Sequence, residues 1–132
     1  MPQQIRAVVV DPSVPGRLAI QEVILRDPDR DEVGVRVTAI SLNRGETRRA
    51  LQVAEAGWRP GWDFAGVVET AAADGSGPGP DTRVVGILPL GAWAERVNCR
   101  SHAVAALPEA VSDAQAATLP ALSTPRVKRS TG

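Results

Sequence analysis

Few residues in this sequence have types and spacing that suit chemistry. Cys99-Arg-Ser-His102 sets a thiol and an imidazole at C-x-x-H spacing, which is half of a zinc site. Zinc takes three or four ligands, and the chain has one cysteine and one histidine, so carboxylates would have to fill every other position. The pair therefore reads as a strand residue beside a surface imidazole, and no metal site is expected. Gly75-Ser-Gly77-Pro-Gly79-Pro has the glycine density of a phosphate-cradling loop. Such a loop works by aiming backbone N–H groups and a helix N-terminus at a pyrophosphate. Here Pro78 and Pro80 remove donors, and a strand-like run, Arg83–Leu88, follows in place of a helix, so a surface connection is expected. No serine sits in a G-x-S-x-G elbow, and His102 is the sole imidazole, so no nucleophilic constellation is present. Two carboxylates could serve general acid–base chemistry. Glu46 lies three residues after Asn43 and suits a helix-capping role; Asp63, between Trp62 and Phe64 at a strand start, is of greater interest. Arg44, Arg48 and Arg49 cluster nearby. At helical spacing Arg44 and Arg48 share a face, which is either an anion-attracting surface or a solvated one.

The elements that must position these groups are mostly strands. Twelve glycines and eleven prolines break the chain into short Val- and Ile-rich runs, the pattern of an all-β domain. Strands are expected at 5–11, 18–24, 32–42, 62–72, 83–88, 92–98 and 103–107. In the third, Val33, Val35, Val37 and Ala39 share one face and Gly34, Arg36 and Thr38 the other. In the fourth, Trp62, Phe64, Gly66 and Val68 alternate with Asp63, Ala65, Val67 and Glu69. Asn43 with Glu46 opens a short helix over about 44–54, and Ser112 with Gln115 opens another that stops near Pro120. The last twelve residues show neither periodicity and are expected to fray. The whole is mainly β, a barrel with one or two short helices.

Composition narrows the function classes. The 132 residues suit one domain, with fifteen basic and fifteen acidic side chains cancelling to zero. A sequence-blind nucleic-acid or anionic-membrane binder needs a cationic excess, so neither partner is expected. No apolar run approaches the roughly 20 residues of a membrane span, and no secretory leader opens the chain. One unpaired cysteine makes a cytoplasmic location the default.

The order of segments resembles a family. Ala39-Ile-Ser-Leu-Asn43-Arg-Gly-Glu46, Pro60-Gly-Trp-Asp-Phe-Ala-Gly-Val-Val-Glu69, Arg83-Val-Val-Gly86, Gly91-Ala-Trp-Ala-Glu95 and Ala116-Ala-Thr-Leu-Pro120 follow one another as do motifs of the zinc-independent medium-chain dehydrogenases/reductases. These are the quinone oxidoreductase-like relatives of alcohol dehydrogenase, and the likeness covers residues 5–120. It implies a GroES-like, partly open β-barrel over 1–110, the start of a linker helix over 111–120, and a divergent tail over 121–132. Intact members add a Rossmann domain that binds NADPH, with hydride passing in the cleft between the two domains. Zinc-dependent relatives carry a Cys near Asn43 and Gly-His-Glu at Gly61-Trp62-Asp63, so the resemblance implies no metal.

By the same resemblance, Asn43 and Arg44 face the nicotinamide end of the cleft, and Trp62 and Asp63 border it. Pocket tyrosines of many relatives have no counterpart in a chain without tyrosine. No G-x-G-x-x-G fingerprint is present, so NADPH is not expected to bind this chain tightly. The reading is a substrate-side domain of an oxidoreductase acting on quinones or small carbonyls, truncated or frame-shifted near residue 121, inactive alone and only marginally stable. Two alternatives stand beside it. One is a stand-alone module that pairs with itself, through the apolar 107–120 surface, or with a separate nucleotide-binding chain. The other is an enoyl-reductase piece of a polyketide-type synthase.

Overall fold

The β-branched runs between the proline and glycine breaks form seven strands. The computed structural model describes residues 2–41, 54–108 and 111–112. In order, the strands are β1 (Gln3–Val10), β2 (Leu18–Leu25), β3 (Glu32–Ile40), β4 (Asp63–Thr70), β5 (Arg83–Ile87), β6 (Arg96–Arg100) and β7 (Val104–Ala106), with one 3-10 turn at Ser101–Ala103. β1 and β2 form an antiparallel hairpin, and the other five make a sheet ordered β6-β3-β4-β5-β7. The expected mainly β class is what the structure shows. The helix expected at 44–54 falls largely on 42–53, outside the described residues, as does most of the one expected after Ser112. Among the described residues, no helix is long and apolar enough to cross a membrane.

The core lies on one face of the sheet. Val33, Val35, Phe64, Val68, Val84, Val97 and Cys99 pack there, each at most 3% exposed. Phe64 sits opposite Gly86 in the β4–β5 register. A Cβ on Gly86 would lie 2.5 Å from Phe64 Cζ and 2.9 Å from Val104 Cγ1, so the ring occupies the space a side chain would need. A smaller group on the other face gathers Ala65 with Ala39, Val85, Leu107 and Val111.

Two expectations from periodicity fail here. Ala39 was expected on the face of Val33 and Val35, yet it packs with Ala65 on the opposite side. The cause is a register slip: Val37 pairs with Gly66 but Ala39 pairs with Ala65, which leaves Thr38 as the extra residue of a bulge. The strand expected at 92–98 instead begins at Arg96. Residues before it are bonded elsewhere, Ala92 N–H to Gly61 O at 3.1 Å and Trp93 N–H to Pro60 O at 3.3 Å. Ala94 bridges Ala7, while Val8 N–H donates to Trp93 O at 2.8 Å, so this segment stitches the hairpin to the sheet.

Two carboxylates are buried within these strands, Glu32 in β3 and Asp63 in β4. Glu32, 5% exposed, accepts from Arg26 Nη1 at 2.7 Å, Arg26 Nη2 at 3.0 Å and Asp29 N–H at 2.8 Å. The bidentate guanidinium holds its carboxyl below the ordinary value of 4.5, against the opposing effect of burial.

Adding a methyl to Gly86 should overpack the Phe64 site. Gly86→Ala is expected to cost about 1–3 kcal/mol, read as a drop in Tm of about 4–8 °C per kcal/mol. Gly79→Ala, with nothing within 4 Å of the added Cβ, should leave Tm unchanged or raise it slightly. Because the Glu32 carboxyl is lowered in the folded state, the unfolded chain binds the proton first, and stability present at neutral pH is lost as pH falls below 4.5. Thermal melts of Glu32→Gln should therefore start lower at neutral pH but decline less steeply in acid.

Candidate functional site

The motifs around Ser41 and Asp63 meet at one end of the five-stranded sheet. β3 ends and β4 begins there, with Ile40 paired to Phe64. Arg59–Trp62 lead into β4 and are held by the 88–93 segment: Gly91 N–H donates to Arg59 O at 3.0 Å and Leu88 N–H to Trp62 O at 2.7 Å. Gly61 makes this approach possible. Its φ is +116°, and a Cβ would lie 2.6 Å from both Trp93 Cδ1 and Trp93 N. From that turn the two expected cleft residues part. Trp62 is 38% exposed, whereas Asp63 is 1% exposed. Ser41 Oγ donates to Asp63 Oδ2 at 3.2 Å, and Trp93 Nε1 donates to Ser41 O at 3.4 Å. Asp63 thus fixes the chain at the end of β3, and Trp62 presents an indole outward. Asn43 and Arg44 lie outside the described residues, as do Arg48, Arg49 and Glu46.

The glycine-rich loop is bound to the protein rather than open to a ligand. Asp74 Oδ1 accepts from Ser76 N–H at 2.9 Å and from Ser76 Oγ at 2.5 Å. Ser76 Oγ lies 2.6 Å from Ser101 Oγ, and a Cβ on Gly77 would meet Ser101 Cβ at 2.8 Å. β5 follows the loop, so no helix N-terminus is aimed at it. These residues do not fit a dinucleotide pyrophosphate.

No family model matches the chain. A mycocerosic acid synthase-like polyketide synthase of Mycobacterium tuberculosis is 37% identical over 113 residues, which is 80% of this chain and 5% of that protein. Among solved structures, the quinone oxidoreductase of Pseudomonas syringae superposes with a TM-score of 0.77 at 27% identity, over 96% of this chain and 41% of that one. The quinone oxidoreductase of Escherichia coli, complexed with NADPH, gives 0.77 at 26% identity, over 99% of this chain and 41% of that one. The chain belongs to the medium-chain dehydrogenase/reductase superfamily. Within that superfamily it is a GroES-like domain, and it spans about two fifths of those oxidoreductases.

Two features of this domain were not evident from sequence. A cavity of about 420 Å³ opens between the hairpin and the end of β3, lined by Val8, Ile20, Ala39, Ile40 and Trp93 among others. Neither Trp62 nor Asp63 lines it. Ile20, a strand residue in its lining, is 73% exposed, which its place in an alternating run does not announce. Of the apolar 107–120 segment, Leu107 and Val111 are described, and both pack against the sheet beside Ala65. Arg83 Nη2 donates to Val111 O at 2.6 Å, which ties that end down.

The Cys99 thiol points into the core, 1% exposed, and donates to Ile87 O at 3.5 Å, while His102 is exposed. Among the described residues, no three His, Cys, Asp or Glu side chains gather as a metal-holding group. Burial pushes the Cys99 pKa up to about 12. Cys99 should therefore resist a thiol reagent at neutral pH in the folded chain and react promptly in denaturant. The folded state keeps this proton longer than the unfolded one, so stability should fall as pH rises from 9.0 toward about 12. Cys99→Ser would lessen that alkaline loss; rapid labelling of the folded protein would contradict the burial.

Proposed function

We propose that this chain supplies the substrate-side surface of an NADPH-dependent reductase of quinones and related conjugated carbonyls, one that works without zinc. The observation that carries the reading is the superposition on the NADPH-complexed quinone oxidoreductase of Escherichia coli, which takes in 99% of this chain. NADPH would be held by a nucleotide-binding partner domain, since the glycine-rich loop of this chain packs on Ser101. When bound, the cofactor supplies hydride.

The residues proposed for the cleft divide the remaining work. Trp62 offers a flat, half-exposed aromatic surface on which a planar conjugated ring can stack. Asn43 follows Ser41 by two residues and so lies within about 7 Å of it along the chain. Its amide would donate to the substrate carbonyl oxygen as negative charge develops there, and Arg44 would add positive charge beside it. Asp63 is a positioning residue: buried and bonded to Ser41, it holds the strand end from which Asn43 departs. An indole at position 62 offers no lone pair for zinc, which supports a metal-free site.

The polyketide synthase match favours a second reading within the same chemistry. An enoyl thioester is also an α,β-unsaturated carbonyl, so the same surface would serve it.

A chimera tests both. With this chain replacing the matching part of the Escherichia coli enzyme, NADPH oxidation is expected with 1,4-benzoquinone, and comparison with a crotonyl thioester separates the two substrates. Trp62→Ala should raise KM about tenfold with kcat little changed, the signature of lost stacking in binding. The isolated chain should oxidise no NADPH. A folded, NADPH-binding chimera inert toward both substrates would refute the proposal.

A further inference from the structure

On the far side of the 88–93 segment lies a second cavity, of about 520 Å³, whose lining includes Arg59, Ile87, Leu88, Leu90, Arg100 and His102. Its volume falls in the range of small-ligand sites. The cations that line it are accounted for, with one exception. Arg26 is bound bidentately by Glu32, Arg100 Nη1 lies 2.6 Å from Asp31 Oδ2, and Arg96 Nε lies 2.8 Å from Glu69 Oε1. Arg59 has no carboxylate partner among the described residues. Among the described residues, its Nε is buried without a hydrogen-bond partner and Nη2 donates only to Gly91 O, at 3.5 Å. Burial lowers its pKa with no acidic group opposing the shift. A partly buried guanidinium without a carboxylate partner keeps a planar fork of donors that matches an oxyanion. The guanidinium lies against Gly91, where a Cβ would stand at ordinary contact distance, 3.7–4.0 Å. The opposite wall is apolar and partly open, with Ile87 36% and Leu90 48% exposed.

We infer that this cavity binds an oxyanion carried on an apolar body, a carboxylate or a phosphate monoester, with Arg59 as the anchoring cation. The inference is independent of the reductase reading, because neither its residues nor its test involves hydride transfer.

Titration of the full 132-residue chain with hexanoate, hexyl phosphate and hexanol at constant ionic strength, followed by NMR at the amides of Gly91 and His102, tests it. Saturable shifts are expected with one or both anions and not with hexanol, and the preferred anion identifies the headgroup. Arg59→Gln should weaken anion binding about 10- to 100-fold, the loss of one or two charge-assisted hydrogen bonds. Arg59→Lys, which keeps the charge and loses the fork, should fall between. Absence of saturation with both anions would overturn the inference, as would hexanol binding equally well or anion binding undiminished in Arg59→Gln. Should Arg59→Gln fail to fold, the wild-type comparison of anions with hexanol and the Arg59→Lys titration decide it.

Discussion

The close approach of two backbone segments at Gly61 governs how this domain presents its surface. Gly61 adopts a left-handed conformation, and Trp93 occupies the space where a Cβ would stand. Because the segments touch, Ala92 and Trp93 bond to Gly61 and Pro60 while Ala94 and Val8 carry the same segment onto β1. One glycine thus joins the hairpin to the five-stranded sheet. The same turn sends Trp62 outward and Asp63 inward on adjacent positions. Any larger residue at 61 would separate the segments, and the hairpin, the strand end and the indole would all shift together.

Electrostatics does less to hold the fold than the number of ion pairs suggests. Arg100–Asp31 and Arg96–Glu69 join half-exposed side chains, where screening and side-chain entropy leave little net stabilisation. Glu32–Arg26 differs because the carboxylate is 6% exposed by its side chain and accepts three hydrogen bonds. Its removal would strand a donor set at the start of β3, and through Asp29 it also shapes the loop entering that strand. Asp31 and Arg30 extend the tie: Ser101 N–H donates to Asp31 O at 2.8 Å and Asp74 N–H to Arg30 O at 3.0 Å. The glycine-rich loop and the 3-10 turn are therefore anchored to the same acidic loop.

Much of the fold was legible because strands reveal themselves through alternation and punctuation. β1 to β5 start within two residues of where Val and Ile alternation places them. What escaped detection depends on partners distant in sequence. Nothing in the run Val33–Ala39 announces that Thr38 is a bulge, because the slip lies in the pairing of β3 with β4. Gly91–Glu95 has the composition of a strand, yet its backbone is claimed by residues 59–61 and by β1. At the site, the types at Trp62 and Asp63 were visible, but their opposite exposures were not, since both flank a turn whose geometry Trp93 sets. Arg59 gave no signal at all. A single arginine before Pro60 looks like an ordinary surface cation until its Nε is found buried beside Gly91.

Asp63 illustrates why a carboxylate near a cleft is not thereby an acid or base. A group that shuttles protons must reach substrate, or water connected to it, within about 2.6–3.2 Å. Asp63 is 1% exposed and is bonded to Ser41 Oγ, so what it acts on directly is the end of β3. The neighbouring donor, Trp93 Nε1, is spent on the same residue's carbonyl. Two buried polar groups thus converge on Ser41, the last described residue before the segment that carries Asn43 and Arg44. The β-core contributes rigidity and an apolar face, and these two hydrogen bonds fix the backbone where β3 ends.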